Sequence, residues 1–168
     1  MSPYLKENRL QDVIAAIQVM GAYDRHTSRK ADLWSAQLGL PQSGEDWFEV
    51  CREHPEFFRT NTTEDDGEDA NWVGIRWRWA TGRTFSPDAD RNMTPDEISS
   101  LSAGEKKKLT REPLTSSQIE TLIASAIQLH SRAIEHKREL RWWAIPAISA
   151  ATAFVGAVLG AFAHSYFQ

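Results

Sequence analysis

Several side chains of this sequence could do chemistry, but their spacing does not support it. The histidines are His26, His54, His130, His136 and His164, and no two of them are three or four residues apart, as a helical metal site requires. The sequence contains no Glu-x-x-His pair, no phosphate-binding glycine loop and no nucleophile elbow. We therefore predict no enzyme activity, no cofactor and no metal site.

Two other groups come closer to a reactive or metal-binding pattern. Cys51 is the only cysteine, and its acidic neighbours are expected to raise the pKa of its thiol and to reduce its reactivity. Asp88, Asp90 and Asn92 match the first ligands of a calcium loop, but the glycine and the bidentate glutamate that such a loop needs are missing. Neither group predicts a site.

The elements that would position these residues begin with a small α+β domain. Apolar residues recur at helical spacing in NRLQDVIAAIQVMGAY, and two shorter helices are predicted in TSRKADLWSAQLGLPQ and SGEDWFEVCREHPEFF. In FFRTN and NWVGIRWRWA the period changes to two, which is typical of strands. The second strand is predicted to continue through Trp79, with Arg76 and Arg78 on its outer face. We expect one core made of Ile14, Ile17, Trp34, Trp47, Ile75 and Trp77.

Three helices followed by a hairpin resemble a winged helix-turn-helix domain, over about residues 5–82. The resemblance is one of element order, and it implies a third helix and a wing that meet DNA. Here both elements are acidic, and acidic side chains oppose contact with phosphates, so we do not expect nucleic acid as a partner. We interpret the third helix as an acidic face for an unknown protein partner, and the acidic loop around Gly67 as either part of such a face or a solvated turn. The residues of the acidic face are Glu45, Asp46, Glu49 and Glu53.

A short helix is predicted to start at Thr94, where Glu97 is in the position of a capping box. A long amphipathic helix is predicted further along the chain. LTSSQIETLIASAIQLHSRAIEHKREL opens with a possible capping box, Ser117 and Glu120, and repeats apolar residues over about three heptads. The stripe indicates either a coiled-coil seam in a homo-oligomer or a helix packed on the chain's own domain. The seam residues are Ile119, Leu122, Ala126, Leu129, Ala133 and Leu140.

The last segment contains no Asp, Glu, Lys or Arg from Trp142 to Phe167, which is long enough for a membrane span. Arg141 precedes it and nothing basic follows, so the positive-inside rule keeps the N-terminal part cytoplasmic. Small residues at every fourth position predict close helix packing in lipid. The packing residues are Ser149, Thr152, Ala153, Gly156, Ala157 and Gly160.

Together these patterns predict the fold class α+β, with a winged-helix-like domain at 1–83, a linker with short helices at 84–114, an amphipathic or coiled-coil helix at 115–141 and a single transmembrane helix at 142–167. The expected protein is tail-anchored in the cell inner membrane, contacts membrane lipid and forms a homo-oligomer. The function predicted first is a membrane-tethered protein-interaction or sensor module that self-associates. The alternatives are a bacterial membrane effector that permeabilises the bilayer and a membrane-anchored transcription regulator.

Overall fold

Residues 2–65 and 68–142 are described in the structure, a computed structural model. The chain forms two compact units, Met1–His130 and Ser131–Gln168. The α-helices of the described residues are α1 (Arg9–Ala22), α2 (Ala31–Leu38), α3 (Trp47–Arg52), α4 (Pro95–Ser100), α5 (Ala103–Lys108) and α6 (Ser116–Trp142). The strands are β1 (Ser28–Lys30), β2 (Phe58–Asp65), β3 (Glu68–Ile75), β4 (Phe85–Ser86) and β5 (Arg91–Asn92).

An antiparallel sheet with the strand order β1-β3-β2 forms the centre of the first unit. The sequence predicted β2 and β3 but not β1, which is only three residues long and lies between α1 and α2. β1 pairs with β3 at Gly74, where an added Cβ would lie 2.3 Å from the carbonyl oxygen of Thr27. Gly74 therefore permits the close approach on which the third strand depends.

The core lies on one face of this sheet, under α1, α2 and α3. Val73 and Ile75 point inward from β3, and Trp34 donates its indole N–H to the Val73 carbonyl at 3.1 Å. Ile17 and Trp47 are also buried, and burying side chains of this size contributes about 1.5–3 kcal/mol each. Four of the six predicted core residues are therefore buried.

The other two predicted core residues are placed differently. Ile14 is half-buried, and Trp77 is 39% exposed. β3 ends at Ile75, and Trp77–Ala80 is a 3-10 helix, so the prediction of a strand through Trp79 is wrong. The physical reason is that Arg78, predicted on the outer face, turns inward instead.

Arg78 is 1% exposed and joins three parts of the first unit through backbone carbonyl groups. It donates to Met20, Tyr23 and His26, at the end of α1 and in the loop that follows, over 2.6–3.3 Å. It also donates to the carbonyls of Arg111 and Glu112. Burial lowers the pKa of Arg78 to about 10, so the side chain stays charged at neutral pH.

The segment 84–114, predicted as a linker, belongs to the first unit. β4 pairs with β5, and Phe85 exchanges backbone hydrogen bonds with Thr110 at 3.0 and 2.9 Å. The short helix predicted at Thr94 is confirmed as α4, with the capping box between Thr94 and Glu97. This segment is therefore a folded part of the domain.

Helix α6 lies within one residue of the predicted range 115–141 at each end, and it packs on the chain's own domain at its start. The reciprocal capping bonds join Thr115 and Gln118, two residues before the predicted box. Ile119 lies beside Gly21, and Ala126 is fully buried. The first half of the predicted seam is therefore used within the chain. Ala133 and Leu140 belong to the second unit, and the side chain of Leu140 is not among those described.

The predicted membrane anchor requires a correction. Within residues 2–65 and 68–142, no helix is both long enough and apolar enough to cross a membrane. Helix α6 has the length, but charged residues such as Glu120, Arg132 and Lys137 recur along it, and each is costly in a bilayer. This finding overturns the fold class with a transmembrane helix, the single-pass topology and the inner-membrane location. Residues 143–167 of the predicted span lie outside the described residues, as do its packing residues Ser149, Thr152, Ala153, Gly156, Ala157 and Gly160.

Candidate functional site

The acidic residues of the predicted partner face are largely engaged within the domain. Lys6 forms ion pairs with Glu49 at 3.0 Å and with Glu53 at 2.7 Å. Arg9 is fully buried and lies 3.1 Å from Glu53. Both glutamates therefore hold the segment before α1 against α3.

The remaining two acidic residues also have local roles. Asp46 caps α3 by accepting a hydrogen bond from the Glu49 backbone N–H at 2.7 Å. The backbone N–H of Glu45 donates to the Glu49 carboxylate at 2.8 Å. Glu45 itself is exposed at the surface. The net charge of these four residues is reduced by Lys6 and Arg9. Three of the four acidic residues therefore make contacts within the domain, and a partner at this face stays a prediction.

A different surface emerges on the solvent side of the sheet. In the strand register, Ser28 and Arg59 flank Gly74, and Asn61 is paired with Trp72. Since paired residues share a face and Val73 points into the core, these side chains lie on the outer face. Together with Trp79 they line a groove of about 310 Å³. The residues of this arginine–tryptophan groove are Ser28, Arg59, Asn61, Trp72 and Trp79.

Positive charge is concentrated at the end of the groove near Trp79. The guanidinium groups of Arg59 and Arg111 both lie on the Trp79 ring, each with Cζ 4.2 Å from the ring centroid. Such cation–π contacts hold a guanidinium group in place while leaving its N–H donors available. The indole N–H of Trp79 has no hydrogen-bond partner among the described residues.

Backbone hydrogen bonds fix two arginines of this charge cluster. Arg111 donates from Nε to the Thr81 carbonyl at 2.9 Å. Arg83 donates to the carbonyls of Leu109 and Lys107 over 2.8–3.1 Å. These bonds order the side chains before any ligand arrives, which lowers the entropy cost of binding.

No carboxylate among the described side chains neutralises the charge of this cluster. In the part of the chain that the structure describes, neither Arg59, Arg83 nor Arg111 forms an ion pair with a carboxylate. Burial lowers the pKa of Arg111, and the charges of Arg83 and Arg59 lower it further. Three like charges held close together favour an anion between them.

Sequence reasoning missed this cluster for an identifiable reason. Alternation along β2 could have placed Arg59 and Asn61 on the outer face, because Phe58 is apolar and buried. Nothing in the local sequence around Arg83 or Arg111 indicates that they meet Arg59, since only the fold of segment 84–114 brings them there.

A second cluster of titratable groups is formed by Tyr4, His54 and Glu56. Tyr4 donates a hydrogen bond to Glu56, and the His54 Nδ1 lies 3.1 Å from the same carboxylate oxygen. Burial, followed by the bond to Glu56, raises the pKa of Tyr4. Burial alone would raise the pKa of Glu56, but bonds from His54 and Tyr4 hold it below its usual value. His54 is fully buried and Tyr4 is 7% exposed, whereas Glu56 lies at the surface, so the three hydrogen-bonded groups tie a buried ring pair to an exposed carboxylate and stabilise the fold.

The other residues considered for chemistry do not form a site. Burial raises the pKa of the Cys51 thiol well above its ordinary value, more than its acidic neighbours do. Among the side chains that the structure describes, which exclude those of residues 63–69, no three of His, Cys, Asp or Glu converge to hold a metal ion.

Comparison with known proteins returns no relative of the chain. No family model matches it, and neither a curated protein nor a solved structure matches it. Function is therefore inferred from the geometry of the site.

Proposed function

We propose that this chain is a protein-interaction module that binds an anionic side chain, phosphorylated or acidic, of a partner segment in the arginine–tryptophan groove. The observation that carries the proposal is the pair Arg59 and Arg111 on the Trp79 ring. Arg83 is close enough to lower the pKa of Arg111, and none of the three arginines has a carboxylate partner among the described residues. Hydrogen bonds to a charged group contribute about 1.5–3 kcal/mol each, enough for useful affinity from one anchored anion. The partner therefore meets the basic outer face of the sheet and not the acidic face of α3.

The charge distribution along the hairpin favours a compact anion over a long polyanion. Asn61, at one end of the groove, is three residues from Glu64, and a strand rises about 3.3 Å per residue. The hairpin tip is acidic in sequence, and the Debye length at physiological salt is about 8 Å. A nucleic-acid strand that followed the hairpin would soon meet this repulsion. A peptide with an anionic residue followed by basic residues can place its negative charge at the arginines and its positive charges near the acidic hairpin tip.

The likeness to a winged helix-turn-helix domain is part of this proposal. The order of α1, α2, α3 and the hairpin β2–β3 supports it. Duplex DNA is not favoured as a ligand, because the residues that α3 would present are the glutamates paired with Lys6 and Arg9.

Fluorescence anisotropy with labelled peptides tests the proposal. A peptide with phosphoserine followed by lysines should bind, and the same peptide with serine should bind at least about tenfold more weakly. Arg59→Gln should weaken binding by about 10- to 100-fold, because it removes one charged donor group. Arg52→Gln is the matched control, since Arg52 is exposed and lies on Phe48 in α3, away from the groove.

Two outcomes would contradict the proposal. One is equal affinity for the phosphorylated and unphosphorylated peptides. The other is a single-stranded oligonucleotide that binds more tightly than the phosphopeptide and competes with it, since that would make nucleic acid the preferred ligand.

A further inference from the structure

A cavity of about 480 Å³ lies between the loop after α1, the β4–β5 hairpin and helix α5. Its apolar lining includes Met93, Leu101 and Leu109. This volume is within the range of about 300–1,000 Å³ that small-molecule sites occupy. The cavity shares no lining residue with the arginine–tryptophan groove.

The walls of this cavity are held by hydrogen bonds on every side. The Met93 N–H donates to the Thr84 carbonyl at 2.7 Å, which closes the hairpin. Helices α4 and α5 each begin with a reciprocal capping box, and Arg83 holds the carbonyl groups at the end of α5. A recess with walls this well ordered is preformed, and a preformed site binds with a smaller entropy cost.

Charges of both signs line the same recess. Arg25 and Lys108 are exposed cations, Asp88 is an exposed carboxylate, and none of the three forms an ion pair within the described residues. Glu105 is already engaged, because Ser102 donates to it from its backbone N–H at 2.8 Å and from its hydroxyl at 2.6 Å.

His26 also lines the cavity but adds no charge at neutral pH. Burial lowers the pKa of His26, and the nearby cations Arg29 and Arg25 lower it further. The lining therefore offers a ligand Arg25, Asp88 and an apolar floor, together with Lys108, whose charge also acts on Glu105. A simple anion would leave Asp88 unpaired, and a simple cation would face Arg25 and Lys108.

We propose that this cavity binds a small zwitterion with an apolar body, of the chemical class of a free α-amino acid with an apolar side chain. Its carboxylate pairs with Arg25 and Lys108, its ammonium group pairs with Asp88, and its side chain lies on Met93, Leu101 and Leu109. This site is independent of the proposed partner groove and gives the module a small-molecule input.

Isothermal titration calorimetry of the full chain tests this inference. The probes are alanine, valine, leucine, methionine and phenylalanine, together with 4-methylpentanoate and 3-methylbutylamine, which are leucine without its amino group and without its carboxylate. Saturable binding is expected for the larger apolar amino acids. Each leucine analogue should bind at least about tenfold more weakly than leucine, because each loses one charged contact.

Variants assign the two contacts. Asp88→Asn should remove the advantage of leucine over 4-methylpentanoate, and Arg25→Gln should reduce its advantage over 3-methylbutylamine. Lys107→Gln is the control, because Lys107 is exposed and its side chain does not line the cavity.

Three results would overturn the inference. The first is the lack of saturable binding for all five amino acids, and the second is equal affinity for leucine and either analogue. The third is an affinity for leucine that stays the same in Asp88→Asn and in Arg25→Gln, as it should in the control Lys107→Gln. Loss of phosphopeptide binding in Arg59→Gln would affect none of these measurements, so the two proposals fail separately.

Discussion

Replacing Arg78 should be the most destabilising single change in the sheet-to-helix junction. Its guanidinium group donates to five backbone carbonyl groups, and in Arg78→Met these acceptors lose their partner. Hydrogen bonds to charged groups contribute about 1.5–3 kcal/mol, but they are not additive and water can reach some of the carbonyls. We expect a net loss of about 3–5 kcal/mol, the range seen when a buried charged network is broken.

Urea and thermal unfolding of the full chain measure this loss. For a unit of this size, about 4 kcal/mol corresponds to a decrease in Tm of about 10–20 °C. Arg78→Lys keeps the charge but lacks the planar fork, so it should fall between the wild type and Arg78→Met. The neighbouring exposed Arg76→Gln serves as the control and should change stability by less than about 0.5 kcal/mol. A loss below about 1 kcal/mol in Arg78→Met would refute the role assigned to these five bonds.

Three further predictions concern α4, β1 and α6. Hydrogen bonds, first from Arg91 on β5, lower the pKa of Glu97 from 4.5 to about 2. The stabilising contacts of Glu97 should therefore be complete above pH 4.5 and lost as the pH falls through about 2. An NMR titration of the Glu97 carboxyl carbon with a midpoint near 4.5 would contradict this. Gly74→Val should detach β1 from β3, because the added Cβ would lie 2.3 Å from the Thr27 carbonyl oxygen. Amide hydrogen exchange in β1 should become fast, and unchanged protection would contradict the prediction. Ala126→Asp should lower the free energy of unfolding of the first unit by about 2–4 kcal/mol, because it places a charge at a fully buried position. An unchanged free energy of unfolding together with a changed oligomeric state would instead favour an intermolecular seam.

The sequence predicted helices and strands best where a single periodic face decides the structure. Val13, Ile17 and Met20 recur at helical spacing, and all three are buried on α1 as that period requires. The capping box at Thr94 was predicted for a similar reason, since its signal is contained within four residues. Local patterns of this kind are reliable because local interactions determine them.

The errors occurred where long-range contacts override the local pattern. Alternation favoured a strand through Trp79, but the carbonyl groups that bind Arg78 lie more than 30 residues away in sequence, so nothing near Arg78 indicates the inward turn. The heptad pattern could not distinguish an intermolecular seam from packing near Gly21, because both need the same apolar stripe. The arginine cluster needed the whole fold of the first unit.

The claim that the chain binds an anion at the arginine–tryptophan groove is tested most directly by following the Trp79 indole resonance in a ¹H–¹⁵N NMR titration. The guanidinium groups of Arg59 and Arg111 lie on the Trp79 ring, and the indole N–H has no partner among the described residues, so a negative charge bound by the two arginines should shift its resonance. We predict a saturable shift with O-phosphoserine that is lost when Arg59→Gln and Arg111→Gln are combined, and kept in Arg52→Gln. No shift in the wild type, or the same shift in the double variant, would contradict the proposed site.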